Sequence, residues 1–387
     1  MHLTNTDQEL IKIFNIRKLI SKTNIFINKL ETSEGFKLFE RSEVTPYARC
    51  FVIFIKSLIK QFDWLEKRKE KLVYDLNYDL YDLYKKKIDK NIEWQFDKAF
   101  LQLYCFTLSS LNILGGKLSG KNLEILTKIL DINIKESLER KGVHRGVSKS
   151  GNHSMFFAIF NIYANNFLKI DRLNQIQEWL NFNSNSINSN GFWGLKTNMD
   201  YLQFQNGYHQ YEIFEYLKFN KADWNLAAKK TILMSDRYGH FAPWPGGGAC
   251  YDYDAIFMLT SKFVKDFGQD NILKKTLNSI VKEQNFDGGF CESKLMKNKL
   301  GIKILKIIEH IIFQPSFIRP WSLIINLNLL RHKHRHIITS WTQTHRKWNE
   351  SNAWDTFFRL STIYRICNRL NYNEKNLFKI NNFPGIG

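Results

Sequence analysis

Ser42–Phe54 reads SEVTPYARCFVIF and Ser148–Phe160 reads SKSGNHSMFFAIF, and this pair decides the fold reading. Both begin on serine, pass through a polar or turn-forming middle, and end in an aromatic-rich run suited to a buried helix. They lie 106 residues apart, which is two units of about 53 residues each. Three more segments share the design: GYHQYEIFEYL from Gly207, ACYDYDAIFML from Ala249 and NAWDTFFRLSTI from Asn352. Each places a polar residue among aromatics ahead of an apolar run. The leading residues are Tyr47, His153, His209, Asp252 and Asp355. WQFDKAFLQLYCFTL around Asp97 and RPWSLIINLNLL from Arg319 fit the gaps between them.

A second series runs in phase with the first. Gly-x-aromatic occurs at Gly191/Trp193, Gly239/Phe241 and Gly288/Phe290, 48 and 49 residues apart. Glycine there suits a tight turn with positive φ, and the aromatic can pack between neighbouring hairpins. Only 6 prolines and 20 glycines punctuate 387 residues, a scarcity that favours long helices over a many-turned β fold. The expected architecture is all-α: an α/α toroid of about six helical hairpins over 41–387, behind a helical cap at 1–40. The Asn/Ser stretch Asn181–Asn190 reads as a loop between helices rather than a domain linker.

In such a toroid the inner helices start around one mouth, where their dipoles and free N–H groups favour anions. The leaders would then meet in space although far apart in sequence. Helix capping is the competing role for each of them. A net charge of +19 suggests an anionic partner, although a chain rich in Lys, Asn and Ile together also reflects base composition. No nucleic-acid module signature is present, so no nucleic-acid partner is expected. Five scattered cysteines without a Cys-x-x-Cys pair argue against a disulfide framework or a structural zinc site. The N-terminus lacks a secretory h-region and no long apolar run occurs, which places the expected location in the cytoplasm.

EQNFDGGF (Glu283–Phe290) resembles the Gln-x-x-x-Gly-x-Trp repeats of the terpenoid cyclases and the related protein prenyltransferases, which are α/α toroids. Gln284, Gly288 and Phe290 carry the match, with Phe in place of Trp. CYDYDAIFML resembles the Asp-x-Asp-Asp-Thr-Ala signature of class II cyclases, which protonate an alkene or epoxide. The resemblance implies Asp254 as proton donor and Asp252 as its partner; Ala255 stands where the family has its third acid. It also implies an isoprenoid or other lipid-type substrate, with Tyr208 and His209 lining the cavity. Trp193, Tyr251 and Trp354 would offer π faces to a carbocation. The prenyltransferase zinc site needs Asp-x-Cys, whereas the chain has Cys250-x-Asp252, so neither metal nor cofactor is expected.

Asn152-His153 resembles the Asn-His element of toroid-type polysaccharide lyases, which neutralise a uronate carboxylate and move a proton with Tyr or His. That implies an acidic glycan, with Tyr208, His209 and Tyr211 as further site residues and Arg319 as a substrate-binding cation. Paired carboxylates such as Asp252 and Asp355 would equally serve a glycoside hydrolase, and a non-catalytic binding toroid is the third reading. Finally, Lys297–Phe313 carries one apolar stripe of Leu300, Ile304, Ile307, Ile308, Ile311 and Ile312, with Lys299, Lys303 and Lys306 beside it. This is the pattern of an outer helix with a solvated face, or of peripheral membrane contact through 297–313. RHKHRH (Arg331–His336) reads as a cationic loop.

Overall fold

The computed structural model describes residues 15–195, 199–297, 300–331, 336–337, 341–381 and 383–385. Helices are nearly the only regular secondary structure among the described residues. In chain order the helices are α1 (Ile16–Lys29), α2 (Pro46–Leu58), α3 (Phe62–Asp89), α4 (Lys98–Leu114) and α5 (Gly120–Leu130). Then come α6 (Ile134–Arg140), α7 (Ser150–Phe167), α8 (Leu173–Asn185), α9 (Tyr201–Tyr216) and α10 (Trp224–Ile232). The last are α11 (Ala249–Thr260), α12 (Asp270–Lys282), α13 (Leu300–Ile312), α14 (Arg319–Arg331) and α15 (Ala353–Arg369). One antiparallel pair of two-residue strands, β1 (His336–Ile337) and β2 (Arg346–Lys347), interrupts them.

Two kinds of helix alternate. In α2, α4, α7, α11 and α15 the buried residues run round the whole helix; all positions from Ser150 to Ala164 of α7 are buried. Between them lie amphipathic helices with a single apolar stripe, such as Leu65, Leu72, Leu76 and Leu80 in α3, or Leu273, Leu277 and Ile280 in α12. Local signals set the starts. Thr45 accepts from the Ala48 N–H with Pro46 in the first turn of α2, Asp97 caps α4, and Asn352 caps α15.

The chain forms two compact units, of which the first gathers the described parts of Met1–Gln61, Met234–Thr260 and Asp266–Ile380. The second holds Phe62–Leu233, Ser261–Lys265 and the described part of Asn381–Gly387. In the first unit α15 packs against α2, α11 and α12; in the second α7 packs against α4 and α9. The stretch expected as an N-terminal cap supplies α1 and, in its described part, belongs with α2 to the first unit.

The Gly-x-aromatic sites form one repeated turn. At Gly191, Gly239 and Gly288 the glycine N–H donates to the carbonyl three residues back, at 3.0, 3.1 and 3.0 Å. The N–H of that same earlier residue donates to the carbonyl one place past the glycine, at 2.8, 2.7 and 2.9 Å. All three glycines have positive φ, at +87°, +85° and +96°. A Cβ would press on the backbone of Ala227 in α10, of Thr276 in α12 and of Lys22 in α1, respectively. Glycine is thus required by both conformation and space, and Trp193, Phe241 and Phe290 behind it are wholly buried. Gly288→Ala is expected to lose about 1–3 kcal/mol of stability, read as a lowered denaturant midpoint at unchanged slope.

Two local expectations are corrected. His209 does not lead a helix: Asp200 and Gln203 form a reciprocal capping box that starts α9 at Tyr201, so His209 sits in mid-helix. The stretch Asn181–Asn190 is not all loop, because α8 continues through Asn185. Of the cationic run Arg331–His336, residues 332–335 lie outside the described residues, as do residues 298–299 of the amphipathic segment.

Candidate functional site

Chemistry-bearing side chains collect at two places, one in each unit. In the second unit the seat is the crossing of α7 and α9. Gly151 makes it possible, because any Cβ there would run into the Asn206 backbone. The Asn206 side chain stitches the contact, accepting from the Gly151 N–H at 3.2 Å and donating to the Val147 carbonyl at 3.0 Å. That approach sets Asn152 Nδ2 2.8 Å from His209 Nε2, an amide donor facing a ring nitrogen. His153 follows on the first turn of α7, and Tyr208 lies with its ring 5.2 Å from that of His209.

The cluster is dry. Asn152, His153 and His209 are 8%, 6% and 5% exposed and Tyr208 is fully enclosed. Burial holds the His153 and His209 imidazoles down at about 3; Lys141 and Lys98 depress His153 further, and Lys98 depresses His209. Both rings are therefore neutral at physiological pH. With Nε2 of His209 accepting from Asn152, its proton sits on Nδ1, and that atom has no hydrogen-bonding partner among the described residues. Nδ1 of His153 is in the same position. Lys98 begins α4 and Lys141 packs over the Phe96 ring at 4.7 Å, so two lysines act on a pair of uncharged rings that each carry one N–H donor. Such a place favours a carboxylate or another oxyanion.

Tyr211 and Trp193 serve packing in the same unit. The Tyr211 hydroxyl donates to the Gly191 carbonyl at 2.7 Å, and the Trp193 indole donates to the Asn183 carbonyl at 2.9 Å. Their rings meet edge-on at 5.5 Å, leaving neither face open.

In the first unit the acids stand in a buried ionic network. Asp252 accepts from the Phe241 N–H at 2.7 Å, from His240 Nδ1 at 2.9 Å and from the Arg359 guanidinium. His240 Nε2 reaches Glu283 at 3.1 Å, and Arg359 reaches the same carboxylate at 3.4 Å. Burial opposes a charged His240, but Glu283 and Asp252 overrule it and hold the imidazole well above its usual range. A second group adjoins: Arg346 pairs with Glu292 at 3.0 Å and with Asp355, itself held by the helix cap Asn352. Burial, then the Asp355 carboxylate, pushes the Glu292 carboxyl up to about 8. A Cβ on Gly248 would meet Glu292 Oε1 at 2.7 Å, the Trp244 ring at 3.2 Å and the Tyr251 ring at 3.3 Å, so acid and aromatics share that corner.

Asp252 and Asp355 are thus joined through Arg359, Glu292 and Arg346, and Asp254 is buried on the same helix as Asp252. Trp354 packs against Trp341 at 4.4 Å and Phe358 at 4.6 Å. Arg319 is spent on the end of α13, donating to the carbonyls of Gln314 at 2.7 Å and Ile312 at 2.9 Å. His240, Glu283, Glu292, Arg346 and Arg359 went unread in the sequence. Their signals were present: His240 fills the middle of Gly239-x-Phe241, Glu292 follows Phe290 by two, and Arg359 lies one turn after Asp355. A shallow cleft beside the Asp236 turn is lined by Tyr238, Glu309, His310 and Phe313, and its Lys306 is paired with Glu309 at 2.9 Å. No protein-family model, no curated protein and no solved structure matches the chain.

Proposed function

We propose that the protein is an α/α-toroid enzyme that cleaves an acidic glycan by β-elimination at a uronate, with Asn152, His153 and His209 at its reaction centre. The alternation of buried and amphipathic helices, and the thrice-repeated glycine turn, support the toroid. The observation that carries the chemistry is the pair of neutral, buried imidazoles whose Nδ1 atoms have no hydrogen-bonding partner among the described residues, beside Asn152 and within the field of Lys98 and Lys141.

The difficult step is removal of the proton at C5, next to the uronate carboxylate. Neutralising that carboxylate makes the carbon acidic enough to lose its proton. The Nδ1–H of His209 is the donor for the carboxylate, Asn152 holds the ring in that tautomer through Nε2, and Lys98 and Lys141 supply long-range positive potential. His153 takes the proton as the C5–H bond breaks. Its electron pair forms the C4–C5 double bond, and the C4–O bond breaks toward the departing sugar, whose oxygen takes up the proton that His153 received. An incoming carboxylate also raises the basicity of both rings from their low resting values. Tyr208, packed on His209, orients that ring.

The test is ultraviolet absorbance of the unsaturated uronate product when the full chain is given uronate-containing polysaccharides. His153→Ala is expected to lower kcat about 10²- to 10⁴-fold. Absence of unsaturated product across the panel would sink this reading.

The corner of Glu292 favours a second reading, isoprenoid cyclisation of the kind the Asp-x-Asp resemblance implies. A carboxyl whose proton is held more tightly than usual, by burial and by the Asp355 carboxylate, stands there beside Trp244 and Tyr251. Asp252 is already engaged by the Phe241 N–H, His240 and Arg359. Cyclisation dependent on Glu292 or Asp254 but indifferent to His153 would select this reading over the glycan one.

A further inference from the structure

α13 and α14 are turned inside out. On α13 the outward stripe is Ile304, Leu305, Ile308 and Ile312, with Leu305 67% and Ile312 57% exposed. These positions follow the i, i+4, i+8 spacing of one helix face. The residues turned inward are Ile307 and His310, with Lys303 half-buried beside them. α14, which packs on α13, repeats the inversion. Leu323 and Leu327 are exposed, whereas Ser322 and Asn326 are buried, Asn326 donating to the Pro243 carbonyl at 2.6 Å. In the same unit α12 shows the ordinary arrangement, burying Leu273, Leu277 and Ile280.

We propose that the α13–α14 hairpin is a platform that seats the protein on an anionic lipid surface. An apolar face turned outward by two consecutive helices is unfavourable in water and calls for an apolar cover. Its chemistry selects the cover. The stripe is aliphatic and carries no hydrogen-bonding group, whereas protein interfaces are enriched in aromatics and Arg around polar contacts. The surrounding charge is net positive: Arg319 is exposed beside the hairpin, and Arg237 and Lys306 together outnumber the Glu309 carboxylate they share, in a chain of net charge +19. A helix of 13 residues spans about 20 Å, short of the ~30 Å hydrocarbon core. No helix among the described residues is long and apolar enough to cross a membrane. The hairpin therefore lies in the interface with its stripe among the acyl chains. This proposal stands independently of the reaction proposed above.

The test is co-sedimentation of the full chain with vesicles of phosphatidylcholine alone and of phosphatidylcholine mixed with phosphatidylserine. The wild type is expected to sediment with the mixed vesicles and to be released by salt. The double substitution Leu305→Asp with Ile308→Asp is expected to weaken binding by about tenfold or more. Leu173→Asp, at an equally exposed leucine of α8, leaves binding unchanged. The substituted side chains are exposed, and circular dichroism confirms that each variant is folded. A wild type that stays in the supernatant with both vesicle types overturns the proposal, and so does a double variant that sediments like the wild type. A lipid-independent dimer that the double substitution dissolves overturns it too, by assigning the face to a second copy.

Discussion

Arg359→Met is expected to cost the fold about 3–5 kcal/mol, enough to lower the denaturant midpoint sharply at unchanged slope. Arg359 is wholly buried on α15 and is the shared cation of Asp252, Glu283 and the Glu292 carbonyl. Removing it leaves the Asp252 carboxylate enclosed, with His240 as its remaining positive partner and the Phe241 N–H as a neutral donor. That uncompensated charge, more than the lost contacts, sets the size of the loss. Arg359→Met combined with Asp252→Asn is therefore expected to recover part of it, because the neutral side chain no longer needs the guanidinium. If Arg359→Met shifts the midpoint by less than the error of the measurement, the network does not hold α11 to α15.

Acid is expected to weaken the second unit by a separate route. His153 and His209 hold their folded pKa at about 3, below the unfolded value near 6.5. Between those values the unfolded chain binds more protons than the folded one, so stability falls as pH falls from about 6.5 toward 3. Each ring contributes on the order of 2–3 kcal/mol of this loss by about pH 4.5. Together they are a large part of the roughly 5–15 kcal/mol that a domain has. Replacing both with glutamine, which does not titrate, should flatten stability over that window. Unchanged steepness in the double variant would show that the rings are already charged or exposed in the native state. The first unit has the opposite sign. His240 and Glu292 have raised folded pKa values, so their contribution is fully present below the unfolded values and is lost as pH rises through the folded ones.

Much of this was legible in the chain. The Gly-x-aromatic spacing at 191, 239 and 288 announced one repeated turn, because a positive φ and a close backbone leave glycine no substitute. Tyr47, His153, Asp252 and Asp355 do lie in the first turns of α2, α7, α11 and α15. His209 misled, since Gly207 looked like a helix start while the capping box at Asp200 and Gln203 sat one and a half turns earlier. The ionic network stayed hidden because its members come from five segments, with Asp252 and Arg359 over a hundred residues apart. No local period encodes such a meeting. The α13–α14 face was half legible: the stripe could be seen, but periodicity does not say which side of a helix meets the protein.

The central claim is that two uncharged imidazoles beside Asn152 form a seat for a sugar carboxylate. Its most direct measurement is a titration of the His153 and His209 side chains by nuclear magnetic resonance, with and without a uronate oligosaccharide. Both rings should stay neutral to about pH 3 in the free protein. Both should titrate at higher pH once the uronate is bound, and a neutral sugar of the same length should leave them unmoved. Rings that titrate near the ordinary histidine value, or that ignore the uronate, would contradict the account.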